Sequence, residues 1–161
     1  MRQMADSQSI VHPLCWYQHA GKQQVQYMKH SSEIFIGVGL AVAIIIFTQF
    51  LTSEQTLEFF AIVLAIIAAI YVGFALSDGR LRESVIEVLG AISFGICALV
   101  GLWLFPIALP IGYFAHGFWD LAHHQHGIKT KITDWYIPFC VAVDWLVGAY
   151  IIFWLMTANN L

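Results

Sequence analysis

"TLEFFAIVLAIIAAIYVGFAL", residues 56–76, decides which solvent this chain folds in. The run holds one charged residue, Glu58, and shows none of the apolar–polar alternation of a half-buried strand. As a helix it would rise about 31 Å at 1.5 Å per residue, which matches the hydrocarbon core of a bilayer. Working outward, four more apolar runs share its character. They are "EIFIGVGLAVAIIIFTQFL" (33–51), "SVIEVLGAISFGICALVGLWLF" (84–105), a run at 107–126, and "IPFCVAVDWLVGAYIIFWLM" (137–156). The runs are continuous and longer than the roughly 9–11 residues of a barrel strand, so strands are excluded. The expected fold is all-α, a polytopic membrane protein with five transmembrane helices.

Composition agrees. The chain is 60% hydrophobic and 11% charged, with a mean hydropathy of +0.75. A soluble domain would carry roughly 25% charged residues. The net charge of -3 and the lack of a basic patch argue against a nucleic-acid partner. The partner expected first is the lipid bilayer itself. The 161 residues fill one polytopic domain, residues 33–161, and leave a polar N-terminal segment, residues 1–32, read as interfacial or disordered. That segment lacks the apolar core of a signal peptide, and Met28 offers an alternative start. Its His12, Cys15 and His19 have only a weak metal-binding spacing. Cys97 and Cys140 read as small buried hydrophobes at different depths.

The basic residues set the orientation. All 7 Lys and Arg fall in the N-terminal segment (Arg2, Lys22, Lys29), the second loop (Arg80, Arg82) or the fourth loop (Lys129, Lys131). With five spans these share one side, and the positive-inside rule makes that side cytoplasmic. The N-terminus is then cytoplasmic and the C-terminus outside. The expected location is an integral membrane position in a bacterial inner (plasma) membrane.

Against this apolar background stands "HGFWDLAHHQHG", residues 116–127. On the fourth helix, running inward, Asp120 lies about 9 Å and His116 about 15 Å from the cytoplasmic end. Asp144, on the antiparallel fifth helix, lies about 10 Å in, level with Asp120, and Glu87 on the third about 5 Å in. At 100° per residue His116, Asp120 and His123 share one stripe, with His124 close by. Ionisable groups inside a membrane are costly and mark functional sites. A cation resolves that cost, since carboxylates and neutral imidazoles buried without one destabilise the bundle. The expected ligands are His116, Asp120, His123, His124 and Asp144, holding a divalent metal, Zn or Fe. The remaining carboxylates, Asp120, Asp144 or Glu87, are the candidates for catalytic base. A structural polar network and a proton or ion path are the alternatives. Glycines 90, 95, 101, 112, 117 and 148 are expected to allow close packing. Tyr113, Trp103, Trp135, Tyr136 and Trp154 read as interfacial belt residues, and Ser93 as bonded within its own helix.

"HGFWDLAHH", followed in the next helix by "CVAVDW", resembles a family of small bacterial membrane proteins with an H-x2-W-D-x2-H-H helix and a following helix bearing Cys and Asp. The resemblance covers roughly residues 107–155 and implies that His116, Asp120, His123, His124 and Asp144 are signature positions; it implies no particular activity. In ligand count the site is also similar to ceramidase-like membrane hydrolases with one Zn, and less so to histidine-box desaturases with two irons. The expected function is a metal-dependent hydrolase acting on a lipid or other apolar substrate that enters laterally. The alternative is a non-catalytic accessory subunit bound to other membrane subunits, with the cluster serving packing, a metal or a pigment.

Overall fold

The computed structural model describes residues 13–124 and 130–157, with side chains described for 31–123 and 130–157. Five helices follow one another: α1 (Pro13–Thr48), α2 (Ser53–Asp78), α3 (Leu81–Trp103), α4 (Ala108–His124) and α5 (Tyr136–Thr157). No strand occurs among the described residues. Four helices are long and apolar enough to cross a membrane: α2, α3, α5 and the Ser31–Thr48 part of α1. The fourth run forms a shorter helix of 17 residues.

Helix ends follow capping chemistry rather than apolarity. Thr52 Oγ1 accepts the Gln55 amide at 3.3 Å, while Gln55 Oε1 accepts the Thr52 amide at 3.0 Å. This reciprocal cap starts α2 at Ser53, ahead of its apolar run. At the far end Gly79 adopts φ 74 and its amide donates to Ala75 O at 3.2 Å, a left-handed closure that a side chain would strain. The amides of Leu104 and Phe105 both turn back to Val100 O, at 3.0 and 2.9 Å, so α3 stops short of Pro106. Pro110 sits in the first turn of α4, where its missing N–H breaks no helical bond. The helix α1 reaches well before the apolar run at Glu33, back to Pro13.

The packing order places α4 inside. It contacts α5, α3 and α2, while α1 packs on α5 and α2 on α3. Phe60, Leu64, Leu109, Tyr113, Val147, Ile151 and Leu155 form the buried apolar layer. Tyr113 is therefore no belt residue: its phenol donates to Phe60 O at 2.9 Å in the interior. Tyr136 is likewise buried. Ser93 bonds back to Leu89 O at 2.8 Å, as expected. Close helix approach occurs at Gly90, Gly101, Gly112, Gly117 and Gly148, but Gly95 faces nothing within 4 Å. The tightest backbone approach is at Gly37, where a Cβ would stand 2.5 Å from Phe139 O. Phe35, Ile36, Leu89, Ile111 and Phe153 remain exposed around the outside.

An ion cluster ties the second and fourth loops together. Arg80 Nε donates to Asp78 Oδ2 at 2.8 Å, and Lys131 Nζ lies 3.5 Å from Asp78 Oδ1. The Asp78 side chain, at the end of α2, is covered, with an exposure of 1%. The two described loops that carry basic residues thus meet at one end of the bundle.

Candidate metal centre

Four side chains converge between α4 and α5. His116 and Asp120 are four residues apart on α4; Cys140 and Asp144 have the same spacing on α5. Residues at that spacing lie on one helix face, and the antiparallel packing turns the two faces together. One ligand atom from each residue lies within 4.8 Å of the others. His116, Asp120 and Asp144 have 0% exposure, and Cys140 is buried beside them.

Hydrogen bonds fix the cluster's shape. His116 Nδ1 lies 2.7 Å from Asp144 Oδ2 and 3.6 Å from Asp120 Oδ1. The Nδ1–Oδ2 pair forms one hydrogen bond whichever of the two carries the proton. The Tyr71 hydroxyl, from α2, donates to Asp120 Oδ1, and the Tyr71 ring packs edge-on to His116 at 5.5 Å. Within the cluster three buried atoms are left without a hydrogen-bond partner, His116 Nε2, Asp120 Oδ2 and Asp144 Oδ1; the fourth among the described residues is Asp78 Oδ1, beside Lys131. Unpaired buried polar atoms are rare and costly, and here three of the four come from one cluster.

A second network lies one turn further along α4. Glu87 Oε1 accepts the Thr130 hydroxyl at 2.6 Å and faces His123 Nε2 at 2.7 Å. Glu87 Oε2 takes the Trp119 indole N–H at 3.3 Å, and His123 Nδ1 donates to Trp119 O at 2.9 Å. Both ring nitrogens of His123 are thus engaged. Tyr71 separates the two networks, its ring centroid 4.8 Å from that of His123.

Of the residues singled out from sequence, the structure brings His116, Asp120 and Asp144 together and pairs His123 with Glu87 instead. The side chain of His124 and all of His126 lie outside the described residues, as does the side-chain arrangement of His12, Cys15 and His19. Two neighbours of the cluster were not anticipated as such, Cys140 and Tyr71. Both gave a signal. Cys140 precedes Asp144 by one turn, and Tyr71 lies about 10 Å from the inner end of α2, level with Asp120 and Asp144.

The donors fit a first-row transition metal. One imidazole, one thiol and two carboxylates are the mixed N/S/O set that Zn accepts. Ligands on a tetrahedral ion at about 2.0–2.3 Å sit about 3.4 Å apart. A spread of up to 4.8 Å has to contract by about 1.4 Å to close on one such ion.

The chain belongs to the family described as a family of unknown function, DUF6010, which matches residues 32–159. The match spans the four membrane-length helices and the whole cluster, and leaves out most of the polar N-terminal segment. No curated protein and no solved structure matches the chain.

Proposed function

We propose that the protein crosses a bacterial plasma membrane five times and holds a divalent metal ion, Zn or Fe, between α4 and α5. His116, Asp120, Cys140 and Asp144 are its ligands. The observation that carries this reading is the buried convergence of His116, Asp120, Cys140 and Asp144, each with a ligand atom within 4.8 Å of the others, in a cluster that leaves three polar atoms without a hydrogen-bond partner. A cation among these side chains neutralises the carboxylates and gives the buried ligand atoms a partner. A purely structural network would pair them with donors, as Glu87 is paired with Thr130, His123 and Trp119.

In this reading α4 crosses the membrane despite its 17 residues, because α2, α3 and α5 surround it. The basic loops face the cytoplasm. A bound cation would supply a Lewis acid that polarises a carbonyl and acidifies water. With the donors enclosed by apolar helices, the reaction class we favour is hydrolysis of a lipid or other apolar substrate. His116 Nδ1 exchanges its hydrogen bond to Asp144 for the ion, and Tyr71 aims Asp120. Glu87, hydrogen-bonded to His123 on the side of the basic loops, is the further carboxylate that would act as base.

The test is metal analysis of the protein purified alone. The expected result is about one Zn or Fe per chain, lost in His116→Ala and Asp120→Asn. Metal-free protein that is indifferent to chelators overturns the proposal. Purification only with other membrane subunits would instead favour an accessory role.

A further inference from the structure

The candidate centre is buried, so an ion that occupies it must cross part of the bundle. The two ways in differ in what lines them. Beyond His116, towards the start of α4, the buried side chains are Leu109 and Tyr113, packed by Phe60, Leu64, Val147 and Ile151. The Tyr113 hydroxyl is bonded to Phe60 O. No buried carboxylate or imidazole lies on that side among the described residues; its buried polar side chains are Thr48 and Thr56, near the ends of α1 and α2. Outside the cluster, the buried acids and imidazole lie at the opposite end. Glu83 and Glu87 stand in the first two turns of α3, and His123 in the last turn of α4. Glu33 lies one turn before Gly37, which meets Phe139 near the start of α5.

Contacts run without a break from that end to the centre. Thr130 donates to Glu87 Oε1 at 2.6 Å, and the same oxygen lies 2.7 Å from His123 Nε2. The His123 ring packs on Tyr71 with 4.8 Å between centroids, and the Tyr71 hydroxyl donates to Asp120. His123, Asp120 and His116 share one face of α4 and span about 10 Å of rise. Arg80 and Lys131 do not bar a cation from this end, because both face acids. Arg80 lies 3.3 Å from Glu83 and donates to Asp78 at 2.8 Å, and Lys131 lies 3.5 Å from Asp78.

An apolar layer costs a divalent ion far more than a route on which oxygen and nitrogen lone pairs replace its water. We infer that the ion of the candidate centre enters and leaves only from the end of the bundle that carries Arg80 and Lys131. Glu87 is its transit carboxylate, and the Thr130 hydroxyl is the latch that holds Glu87 against His123. This rests on the metal reading and adds a direction to it. A residue on the route alters the barrier to entry and exit alike, so it changes both rates and leaves the dissociation constant where it was. A residue that supports the bound ion changes the constant instead.

The probe is Co2+ added to the full-length protein stripped with chelator. Its visible absorption reports binding, and a cobalt–thiolate charge-transfer band marks Cys140. Glu87→Gln should slow loading and release at least tenfold and leave the dissociation constant within threefold. Thr130→Val, which removes the hydroxyl and keeps the shape, should speed both at least threefold. In sealed vesicles of uniform orientation holding the loaded, unsubstituted protein, EDTA should bleach the absorption from the side of residues 79–82 and not from the other. That arm decides the route even if a variant fails to fold. Rates that either substitution leaves unchanged, slower loading matched by an equal loss of affinity, or release to EDTA from the opposite side overturns the route and leaves the metal centre standing. Absence of bound Co2+ from every preparation overturns the centre, and the route with it.

Discussion

Replacing Tyr71 by Phe removes one oxygen atom and isolates what the α2 contact does for the candidate centre. The ring stays, with its contacts to His116 at 5.5 Å and His123 at 4.8 Å, so packing is preserved. What is lost is the hydroxyl that donates to Asp120 Oδ1. Freed of it, Oδ1 can close the 3.6 Å gap to His116 Nδ1 and turn Oδ2 out of the cluster. Loss of a partner that orients a metal ligand lowers affinity about 10–100-fold. That is about 1.4–2.8 kcal/mol, in line with the about 1.5–3 kcal/mol of a hydrogen bond to a charged group. The measurement is competitive metal titration of the stripped protein against a chromophoric chelator, with melting temperatures of both forms. Tyr71→Phe should bind about 10–100-fold more weakly and still load one ion at saturation. If affinity stays within twofold while Asp120→Asn abolishes binding, Tyr71 does not position Asp120 and the reasoning fails.

Other expectations follow from the same geometry. Reporter fusions after residues 53, 79, 108, 130 and 161 should alternate outside, inside, outside, inside, outside; a cytoplasmic C-terminus defeats the five-span reading. Asp144→Asn should preserve the fold and weaken metal binding at least tenfold, read by the same titration, because the amide keeps the shape and loses the charge. Chelation should lower the melting temperature, and restoring metal to 100 times its dissociation constant should return about 2.7 kcal/mol. Gly37→Ala should destabilise by about 1–3 kcal/mol, since its Cβ would meet the Phe139 carbonyl oxygen, a backbone atom, at 2.5 Å. Gly95→Ala, which faces open space inside α3, should be stabilising by up to about 1 kcal/mol.

Run length located the helices because hydrocarbon asks only for continuous apolarity. It misplaced their ends because ends are set by local bonds. The Thr52–Gln55 cap advances α2 to Ser53, and the turn at Val100 O closes α3 at Trp103. Polarity hid the start of α1: the Gln-, His- and Lys-bearing stretch after Pro13 is helical without being apolar. Within the site, depth was legible and direction was not. Equal rise along antiparallel helices brought Asp144 level with Asp120, and the structure puts Asp144 against His116. The helical wheel gave His123 the same stripe as His116, but a wheel fixes where Cβ points and not where a ring ends. The Trp119 carbonyl and Glu87 take both His123 nitrogens. Tyr71 went unnoticed because its helix otherwise reads as uniform hydrocarbon-facing residues, although its depth matched. Cys140 was taken as a small hydrophobe because a thiol in an apolar run usually is one.

The short, inward-lying α4 also constrains how the protein is made. An aspartate at mid-helix opposes membrane insertion by about 2.5–3.5 kcal/mol on the translocon scale. Helix α4 places Asp120 and His116 within only 17 residues. If α4 crosses the membrane as proposed, it reaches the bilayer before Cys140 and Asp144 emerge to meet it. What is already there is α2 and α3, and these carry Tyr71 for Asp120 and Glu87 for His123. The contacts that flank the candidate centre are therefore the ones available first. On that reading they would shelter α4 at the mouth of the insertion machinery until α5 arrives, and loading of the proposed ion would be the last step of biogenesis.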